Sequence, residues 1–292
     1  MKFKKPQLVL ILTPSGFHYE HALFFLKRGI NVVTEKPITM IPWQGEKLFQ
    51  ISKKKKILFG AVFQNRYNPS LKYLKDLIKN NKIGRITNFS VKVMWCRYQD
   101  YYEDGWHGTW KNDGGVINQQ AIHHIDALNW LLGPVDSVFA HKANILNKLE
   151  AEDTISILIK LKNGIVGTFQ ATTAARPKDI VAEISIYGKK GYAKVEGQAL
   201  NQLGDIIIDD KSISVKIKKN FSQKIKNGYG LGHGPFLKEL FNRIKRKSTT
   251  PPVSVKDSIK VTQIIHAIYE SSRKKEWIKV KKGVVYKKLG KK

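Results

Sequence analysis

The sequence predicts an α/β protein in which an incomplete doubly wound parallel sheet is followed by an α+β domain with a mostly antiparallel, open sheet. Up to residue 64, short continuous apolar runs alternate with amphipathic segments, which is typical of parallel βαβ units. Beyond it, period-two alternation and glycine-containing turns indicate antiparallel strands. The chain has 292 residues and is 42% hydrophobic, enough for two domains with a buried core.

We place the domain boundary between residues 1–64 and residues 65–292. The first domain reads as strand, helix, strand, helix and strand, with right-handed crossovers between parallel strands. Its first strand is an uninterrupted apolar run, as a strand buried on both faces would be. The expected strands are 8–12, 31–34 and 57–62, and the expected helices are 19–27 and 43–53.

The second domain begins with a helix that carries leucines on one side and continues with strands joined by turns. Lys162-Asn163-Gly164 is a strong hairpin signal. We expect the lysine-rich end after Val285 to be loose. The expected helices are 69–80, 113–132, 236–245 and 255–272, and the expected strands are 86–95, 154–161, 165–172, 180–187 and 192–195.

The composition argues against several classes of protein. No apolar run approaches the ~20 residues that a membrane span needs. Residues 1–5 are basic and precede an apolar run, but this run is shorter than the ~7–15 residues of a secretory signal core, which favours a strand. Cys96 is the only cysteine, so no internal disulfide or thiolate zinc cluster is expected. We predict a cytoplasmic protein without a metal site.

The formal net charge of +29 is the strongest bulk feature. Clustered basic residues would suit a nucleic acid through counterion release. Here the basic residues are spread along the chain, and no zinc finger, RRM or KH pattern accompanies them. A solvated, lysine-rich surface explains the charge equally well. We therefore do not expect nucleic acid as the main partner, although the charge would attract an anionic ligand such as a nucleotide sugar.

Two segments are candidates for chemistry, and the first is Glu35-Lys36-Pro37. It follows the second predicted strand, and doubly wound sheets bind ligands at the carboxyl ends of their strands. Pro37 restricts Lys36 to an extended conformation, which directs its side chain. A surface lysine is an open alternative, because the chain has 52 lysines and arginines.

The second segment is the predicted helix 113–132, which has two faces. Its apolar stripe is suited to the core and consists of Ile117, Ala121, Ile125, Leu128 and Leu132. A polar stripe, which suggests a pocket wall, consists of Gln119, His123, Asp126 and Trp130. His123 and His124 point about 100° apart, so only one can face a pocket. A satisfied core or surface histidine remains the alternative.

Together these segments resemble the glucose–fructose oxidoreductase/inositol dehydrogenase/rhizopine catabolism (Gfo/Idh/MocA) family. The resemblance extends over nearly the whole chain. It rests on Thr13-Pro14 with His18, on Glu35-Lys36-Pro37, and on Gly114-Gly115 leading to His123 and Asp126. Residues 64–69, 95–97, 101–102 and 106–110 are similar to a narrower branch, which oxidises UDP-N-acetylglucosaminuronic acid at C3 during bacterial surface-polysaccharide synthesis.

The resemblance implies hydride transfer between a sugar hydroxyl carbon and nicotinamide, with NAD or NADP as cofactor. It implies that His123 is the acid/base residue and that Lys36 donates to the same oxygen. We read residues 228–234 as a loop with His233 near the sugar, and we expect a homo-oligomer formed through the second-domain sheet. The implied cofactor residues are Thr13, Pro14, His18, Glu35, Lys36 and Gln64. The implied substrate residues are Arg66, Arg97, Trp106, Gln119, Gln120 and His233.

The sequence departs from the family pattern in two places. Gln119 stands where many members have aspartate. It can orient His123 by a hydrogen bond but cannot offset imidazolium charge, so His123 should be a weaker base. No segment fits the G-x-G-x-x-G loop between a strand and a helix. We therefore expect a Rossmann-like domain whose first half is missing, with residues 8–12 as an exposed apolar edge.

Two functions follow from these observations and stay open. The first is a catalytic NAD(P)-dependent sugar dehydrogenase, which the presence of both Lys36 and His123 favours. The second is a non-catalytic truncated relative that keeps only the sugar-binding and assembly domain, which the missing glycine loop favours.

Overall fold

The computed structural model describes residues 5–291, so most of the basic segment 1–5 lies outside the described residues. The first domain contains a three-stranded parallel sheet in the order β1-β2-β3. Within the described range β1 forms the outer edge, and Leu12 just after it is 70% exposed. The elements are β1 (Leu8–Ile11), α1 (His18–Lys27), β2 (Asn31–Thr34), α2 (Pro42–Lys55) and β3 (Phe59–Ala61).

The predicted burial of the first strand on both faces is wrong. Of the four residues of β1, only Ile11 is buried, whereas Val32 and Val33 of β2 are fully enclosed. The difference arises because β2 has a neighbour on each side and β1 pairs only with β2 in the described residues. The expected exposed apolar edge is therefore present.

The second domain is built on a nine-stranded sheet in the order β11-β10-β9-β8-β4-β7-β6-β5-β12. All neighbours are antiparallel except β4 and β7, which confirms a mostly antiparallel sheet. The strands are β4 (Ile86–Met94), β5 (Val135–Ala143), β6 (Thr154–Leu161), β7 (Val166–Thr172), β8 (Val181–Gly188), β9 (Gly191–Glu196), β10 (Gln202–Ile208), β11 (Lys211–Ser212) and β12 (Ile278–Lys279).

Helices cover one face of this sheet. α3, α4 and α8 pack on strands β9, β6 and β7, and β5 respectively. Along β6, buried and exposed residues alternate, so the opposite face is open. The helices are α3 (Pro69–Lys79), α4 (Val116–Gln119), α5 (Ile122–Leu132), α6 (Val215–Phe221), α7 (His233–Lys245) and α8 (Val255–Lys274).

α8 joins the two domains, because it packs against α2 and β3 of the first domain as well as against β5 of the second. The hydroxyl of Thr262 donates to the carbonyl of Thr39 at 3.4 Å, and Nε2 of His266 lies 2.9 Å from the carbonyl oxygen of Met40. Since these are long-range polar contacts inside a buried interface, they hold the carboxyl end of β2 against the second domain.

The expectation of a loose carboxyl-terminal segment is also wrong. Tyr286 and Leu289 are buried, and the backbone N–H of Tyr286 donates to Nδ1 of His266 at 2.9 Å. The ring of Tyr286 packs against Trp110 and Tyr269. The lysine content of the carboxyl-terminal segment predicted that it would be solvated. Two apolar side chains among the lysines nevertheless dock this segment on the rest of the protein.

Candidate active site

The ammonium of Lys36 is held at the carboxyl end of β2 by the second domain. Nζ donates to the side-chain oxygen of Gln119 at 2.6 Å and to its carbonyl oxygen at 2.8 Å. These two bonds leave one of its three donors for a ligand. The side chain of Lys36, whose direction was predicted from Pro37, therefore ends at Gln119 in the second domain.

This partner is available because the predicted helix 113–132 is interrupted. α4 ends at Gln119 and α5 begins at Ile122. A helix end leaves carbonyl groups without intrahelical donors, and the carbonyl of Gln119 accepts from Lys36 instead. The side-chain oxygen of Gln119 accepts from Lys36, and no hydrogen bond joins Gln119 to His123 in residues 5–291, so the expected bond that would orient the imidazole is absent there.

His123 lines a cavity, whereas His124 is enclosed in the core. Nδ1 of His123 is buried without a hydrogen-bond partner in the described residues, and the edge of the ring meets Phe63. Burial, followed by the charge of Lys36, holds the pKa of His123 well below its usual value. At neutral pH the imidazole is therefore uncharged and able to accept a proton. Burial lowers the pKa of His124 to about 3.

Lys36 is subject to opposing influences. Burial lowers the pKa of its ammonium group, while the carboxylates of Glu35 and Asp113 raise it. The carboxylate of Glu35 lies 3.6 Å from Nε2 of His233. Burial raises the pKa of Glu35, but the hydrogen bond to His233 and the charge of Lys36 together lower it by more. Acidic groups from both domains, Glu35 and Asp113, thus offset part of the charge of the Lys36 ammonium group.

The cavity has a volume of about 760 Å³ and receives both Lys36 and His123. Nine of the residues proposed from the sequence line it, namely Glu35, Lys36, Gln64, Arg97, Trp106, Gln119, Gln120, His123 and His233. The remaining lining residues had no role predicted from the sequence. They are Leu12, Trp95, Tyr101, His107, Asp179, Gln198, Gly228 and Tyr229.

Asp179 is the most consequential of the missed residues. Its carboxylate accepts from Nη1 of Arg97 at 2.9 Å, from the amide of Gln198 at 2.8 Å and from the backbone N–H of Cys96 at 2.7 Å. It therefore fixes the guanidinium at the cavity wall. Asp179 lies in an irregular segment with no motif around it, so no sequence signal marked it.

Two buried acids behind the cavity were also missed. Asp113 accepts the backbone N–H of Gly108 at 2.7 Å, and burial raises its pKa to about 7. Glu152 accepts the hydroxyl of Tyr269 at 3.1 Å and the backbone N–H of Ile117 at 3.2 Å. Burial raises the pKa of Glu152 to about 8. Glu152 thus holds the start of α4 as a largely neutral acid.

Arg66 does not reach the cavity. Its guanidinium donates to both oxygens of Asp126, at 2.8 and 2.7 Å, and to Asp257 at 3.0 Å. The ring of Trp130 lies 5.6 Å from the guanidinium carbon. Asp126 and Trp130, the second half of the predicted polar stripe, therefore hold Arg66 inside the protein.

The residues expected beside the nicotinamide ribose lie outside the cavity wall. Thr13 and Pro14 form the turn after β1, where Oγ1 of Thr13 contacts Nδ1 of His21 at 3.2 Å. His18 is buried, with Nδ1 2.7 Å from the carbonyl of Pro37 and Nε2 2.9 Å from the carbonyl of Thr13. His18 thus ties the turns after β1 and β2 together.

The arrangement is suited to removing a proton from a hydroxyl group. A neutral imidazole can accept the proton, and an ammonium with a free donor stabilises the negative oxygen that develops. Gln64 fits the nicotinamide end of a dinucleotide, because its side-chain oxygen is buried beside the cavity without a donor in the described residues. The sequence contains no G-x-G-x-x-G segment for the pyrophosphate.

Comparison with known proteins supports this chemistry. Residues 1–63 match the family model "Oxidoreductase family, NAD-binding Rossmann fold", and residues 75–280 match "Oxidoreductase family, C-terminal alpha/beta domain". An uncharacterized oxidoreductase from Synechocystis is 27% identical over 63% of this chain and 53% of its own length. A scyllo-inositol 2-dehydrogenase (NADP(+)) from Bacillus subtilis is 28% identical over 51% of this chain and 40% of its own length. The chain thus spans about half the length of these curated relatives.

Solved structures are similar over more of the chain. The WlbA dehydrogenase from Chromobacterium violaceum, in complex with NADH and UDP-GlcNAcA, has 30% identity and a TM-score of 0.86, covering 95% of this chain and 78% of that one. The enzyme from Bordetella pertussis, with the same ligands, has 29% identity and a TM-score of 0.87, covering 94% and 80%.

The cofactor of these structural relatives is NADH. Because the matched domain models cover most of its length, the chain belongs to the Gfo/Idh/MocA family of oxidoreductases, which pairs an NAD-binding Rossmann fold with a C-terminal α/β domain.

Proposed function

We propose that this protein is an NAD-dependent dehydrogenase that oxidises a hydroxyl carbon of an anionic nucleotide sugar of the UDP-GlcNAcA type, in bacterial surface-polysaccharide synthesis. The observation that carries the proposal is the convergence of Lys36 and His123, from different domains, on one cavity. A cytoplasmic location is part of the proposal and agrees with the single cysteine.

The protein's part in the reaction is proton transfer and charge stabilisation. His123 takes the hydroxyl proton as a neutral base, since burial and Lys36 keep its pKa low. Lys36 uses its remaining donor to stabilise the alkoxide, and Gln119 fixes its position. When bound, NAD supplies the hydride acceptor, with Gln64 and Glu35 as the residues of this chain that would hold its nicotinamide end.

Arg97 is the residue that we assign to an anionic part of the substrate. Nη1 is engaged by Asp179 and by the carbonyl of Cys96, and the remaining guanidinium nitrogens are suited to a carboxylate or phosphate. The rings of Trp95 and Tyr101 lie 5.4 and 5.7 Å from the guanidinium carbon and limit its motion. The net charge of +29 would draw an anionic substrate toward this site.

The open face of the nine-stranded sheet is part of the same proposal, as the contact surface of a homo-oligomer. Three large apolar or aromatic residues are exposed on this sheet, namely Leu158, Val166 and Tyr187. A symmetric pair of subunits can bury one such patch against its own copy.

The experiment that tests the function measures NADH formation from NAD and UDP-GlcNAcA. We expect His123→Asn and Lys36→Met each to lower kcat by roughly 100-fold or more, while Lys79→Met, at an exposed lysine on α3, leaves it unchanged. UDP-glucose, which lacks the carboxylate, should be used poorly. Full activity in the His123 and Lys36 variants would contradict the proposal. Failure of the protein to bind NAD by calorimetry would instead favour the non-catalytic relative.

A further inference from the structure

A strongly basic surface lies at the end of the first domain that is opposite the active site. Helices in βαβ units run antiparallel to the strands, so their carboxyl ends gather at the amino ends of the strands. α1 ends beside Lys27 and Arg28, α2 ends at residues 53–56, which are four lysines, and α7 ends at Lys245. These groups are therefore clustered in space although they are spread along the chain.

Two adjoining grooves, which we call the basic groove, run through this surface. Their volumes are about 620 and 490 Å³, and both are lined by Lys56 and Ile57. Six exposed lysines line them, namely Lys5, Lys53, Lys56, Lys245, Lys247 and Lys256. No aspartate or glutamate lines either groove, and within residues 5–291 none of the six forms an ion pair.

Helix dipoles do not account for this charge. A helix carboxyl end carries roughly half a negative charge, which favours one or two nearby cations. α2 alone ends with four consecutive lysines, so an excess of positive charge remains. Among residues 5–291, only a few lysines, such as Lys92, Lys194 and Lys218, lie beside a carboxylate. The basic groove is distinguished by its shape, because six lysines line one concave surface that has no aspartate or glutamate in its lining.

We propose that the basic groove is a second binding site, separate from the active site, for a flexible chain of linked phosphate groups of the inorganic polyphosphate type. Repeated ammonium groups match repeated phosphates. Lining side chains whose donors are not used within residues 5–291 supply further hydrogen bonds, and they are Gln7, Thr249, Thr250 and Ser254.

The shape and lining of the groove favour this ligand over other polyanions. Single-stranded nucleic acids bind through stacking on open aromatic faces as well as charge. The one aromatic residue of the groove lining, Phe49, has Lys53 5.6 Å above its ring. A flat bilayer surface would not enter a concave groove, and the groove has no protruding apolar anchor of the kind that interfacial proteins insert.

The test is calorimetric titration of the whole protein with a short linear polyphosphate at several salt concentrations. Replacing Lys53, Lys56, Lys245 and Lys247 together by glutamine should lower the affinity at least tenfold at constant salt. It should also make the log–log salt slope shallower by about 3. The matched control removes the same charge from α6 and its flank, as Lys216→Gln, Lys218→Gln, Lys219→Gln and Lys224→Gln, and should change the affinity less than twofold.

Three results would overturn the proposal. The first is an equal loss of affinity in both quadruple variants, which would indicate diffuse surface charge. The second is tighter binding, at the same four lysines, of a single-stranded oligonucleotide with an equal number of phosphates. The third is lysine-dependent binding to anionic lipid vesicles without binding to polyphosphate. Arginine at the four positions should preserve binding, which separates loss of charge from loss of fold.

Discussion

Burial decides the protonation state of individual side chains around the active site. It lowers the pKa of His123 and Lys36, because burial disfavours their charged forms. It raises the pKa of Glu152 to about 8 and of Asp113 to about 7. The result at the residue scale is a neutral base beside an ammonium group, with neutral or partly neutral acids behind them.

The pH dependence of oxidation should report His123. Since its pKa lies well below about 6.5, kcat/KM should stay level as the pH falls to that value and decline only below it. Lys36→Gln removes a nearby positive charge, so the pKa of His123 should rise and the acid limb should move to higher pH. Steady-state rates in buffers of constant ionic strength measure the acid limb of the unmodified protein and that of the Lys36→Gln variant. An acid limb above pH 7 in the unmodified protein would show that another group is the base.

Arg66 is predicted to matter for stability and not for substrate affinity. Arg66→Ala leaves the buried carboxylate of Asp126 without its bidentate partner, which should cost about 3–5 kcal/mol in the free energy of unfolding. Urea unfolding followed by circular dichroism measures the loss.

Arg85→Ala, at an exposed arginine, is the control for Arg66 and should stay within about 0.5 kcal/mol of the unmodified protein. If Arg66→Ala raised KM while leaving the unfolding midpoint in place, the substrate role implied by the family resemblance would be restored.

At the element scale, the interruption between α4 and α5 creates the site. A continuous helix would have used the carbonyl of Gln119 within its own hydrogen-bond ladder and placed Gln119 one turn from His123. The structure instead begins α4 against Glu152, where the backbone N–H of Val116 donates to the carbonyl of Glu152 at 2.9 Å. The short helix thereby presents Gln119 to Lys36.

Gly115, which precedes α4, should be intolerant of a side chain. An added Cβ would lie 2.4 Å from the carbonyl oxygen of Glu152 and 2.2 Å from its Cδ, so α4 must shift. We expect Gly115→Ala to cost about 1–3 kcal/mol and to weaken the hold of Gln119 on Lys36. Thermal unfolding and activity should be measured together.

The control is Gly234→Ala in α7, where an added Cβ meets nothing within 4 Å. It should be neutral or stabilise the protein by up to about 1 kcal/mol, because alanine favours a helix over glycine. Equal stability of the Gly115 and Gly234 variants would mean that Glu152 can move aside freely.

At the scale of the whole molecule, the two sheets have different roles. The three-stranded sheet presents Lys36, whereas the nine-stranded sheet supports the segments next to its strands that line the cavity and carries apolar residues on its open side. In residues 5–291, no helix is both long and apolar enough to cross a membrane.

The proposed oligomer should depend on the open face. Leu158→Lys places a charge on the open face of the nine-stranded sheet, where the unmodified leucine is 42% exposed, and should weaken self-association by tenfold or more. Ile145→Lys, in a loop where the isoleucine is 61% exposed, should leave it unchanged. Sedimentation velocity distinguishes the two. A monomeric unmodified protein at micromolar concentration would contradict the oligomer.

The sequence by itself predicted most of the elements in their order, because apolar periodicity follows directly from which side of a helix or strand is buried. It also marked Lys36 and His123 as candidates, through the motifs that resemble the family. β5 and β10 escaped prediction because their apolar residues do not alternate regularly with polar ones.

Only the tertiary structure decided which polar groups meet. The pair Arg66–Asp126 joins residues 60 positions apart, and the bond from Lys36 to Gln119 joins residues 83 positions apart. Periodicity describes neighbours within an element and contains no information about such distant pairs. Whether a polar side chain faces a ligand or a buried partner depends on where the other domain packs, and this is the reason that Arg66, His18, Asp179 and Asp113 could be assigned only from the structure.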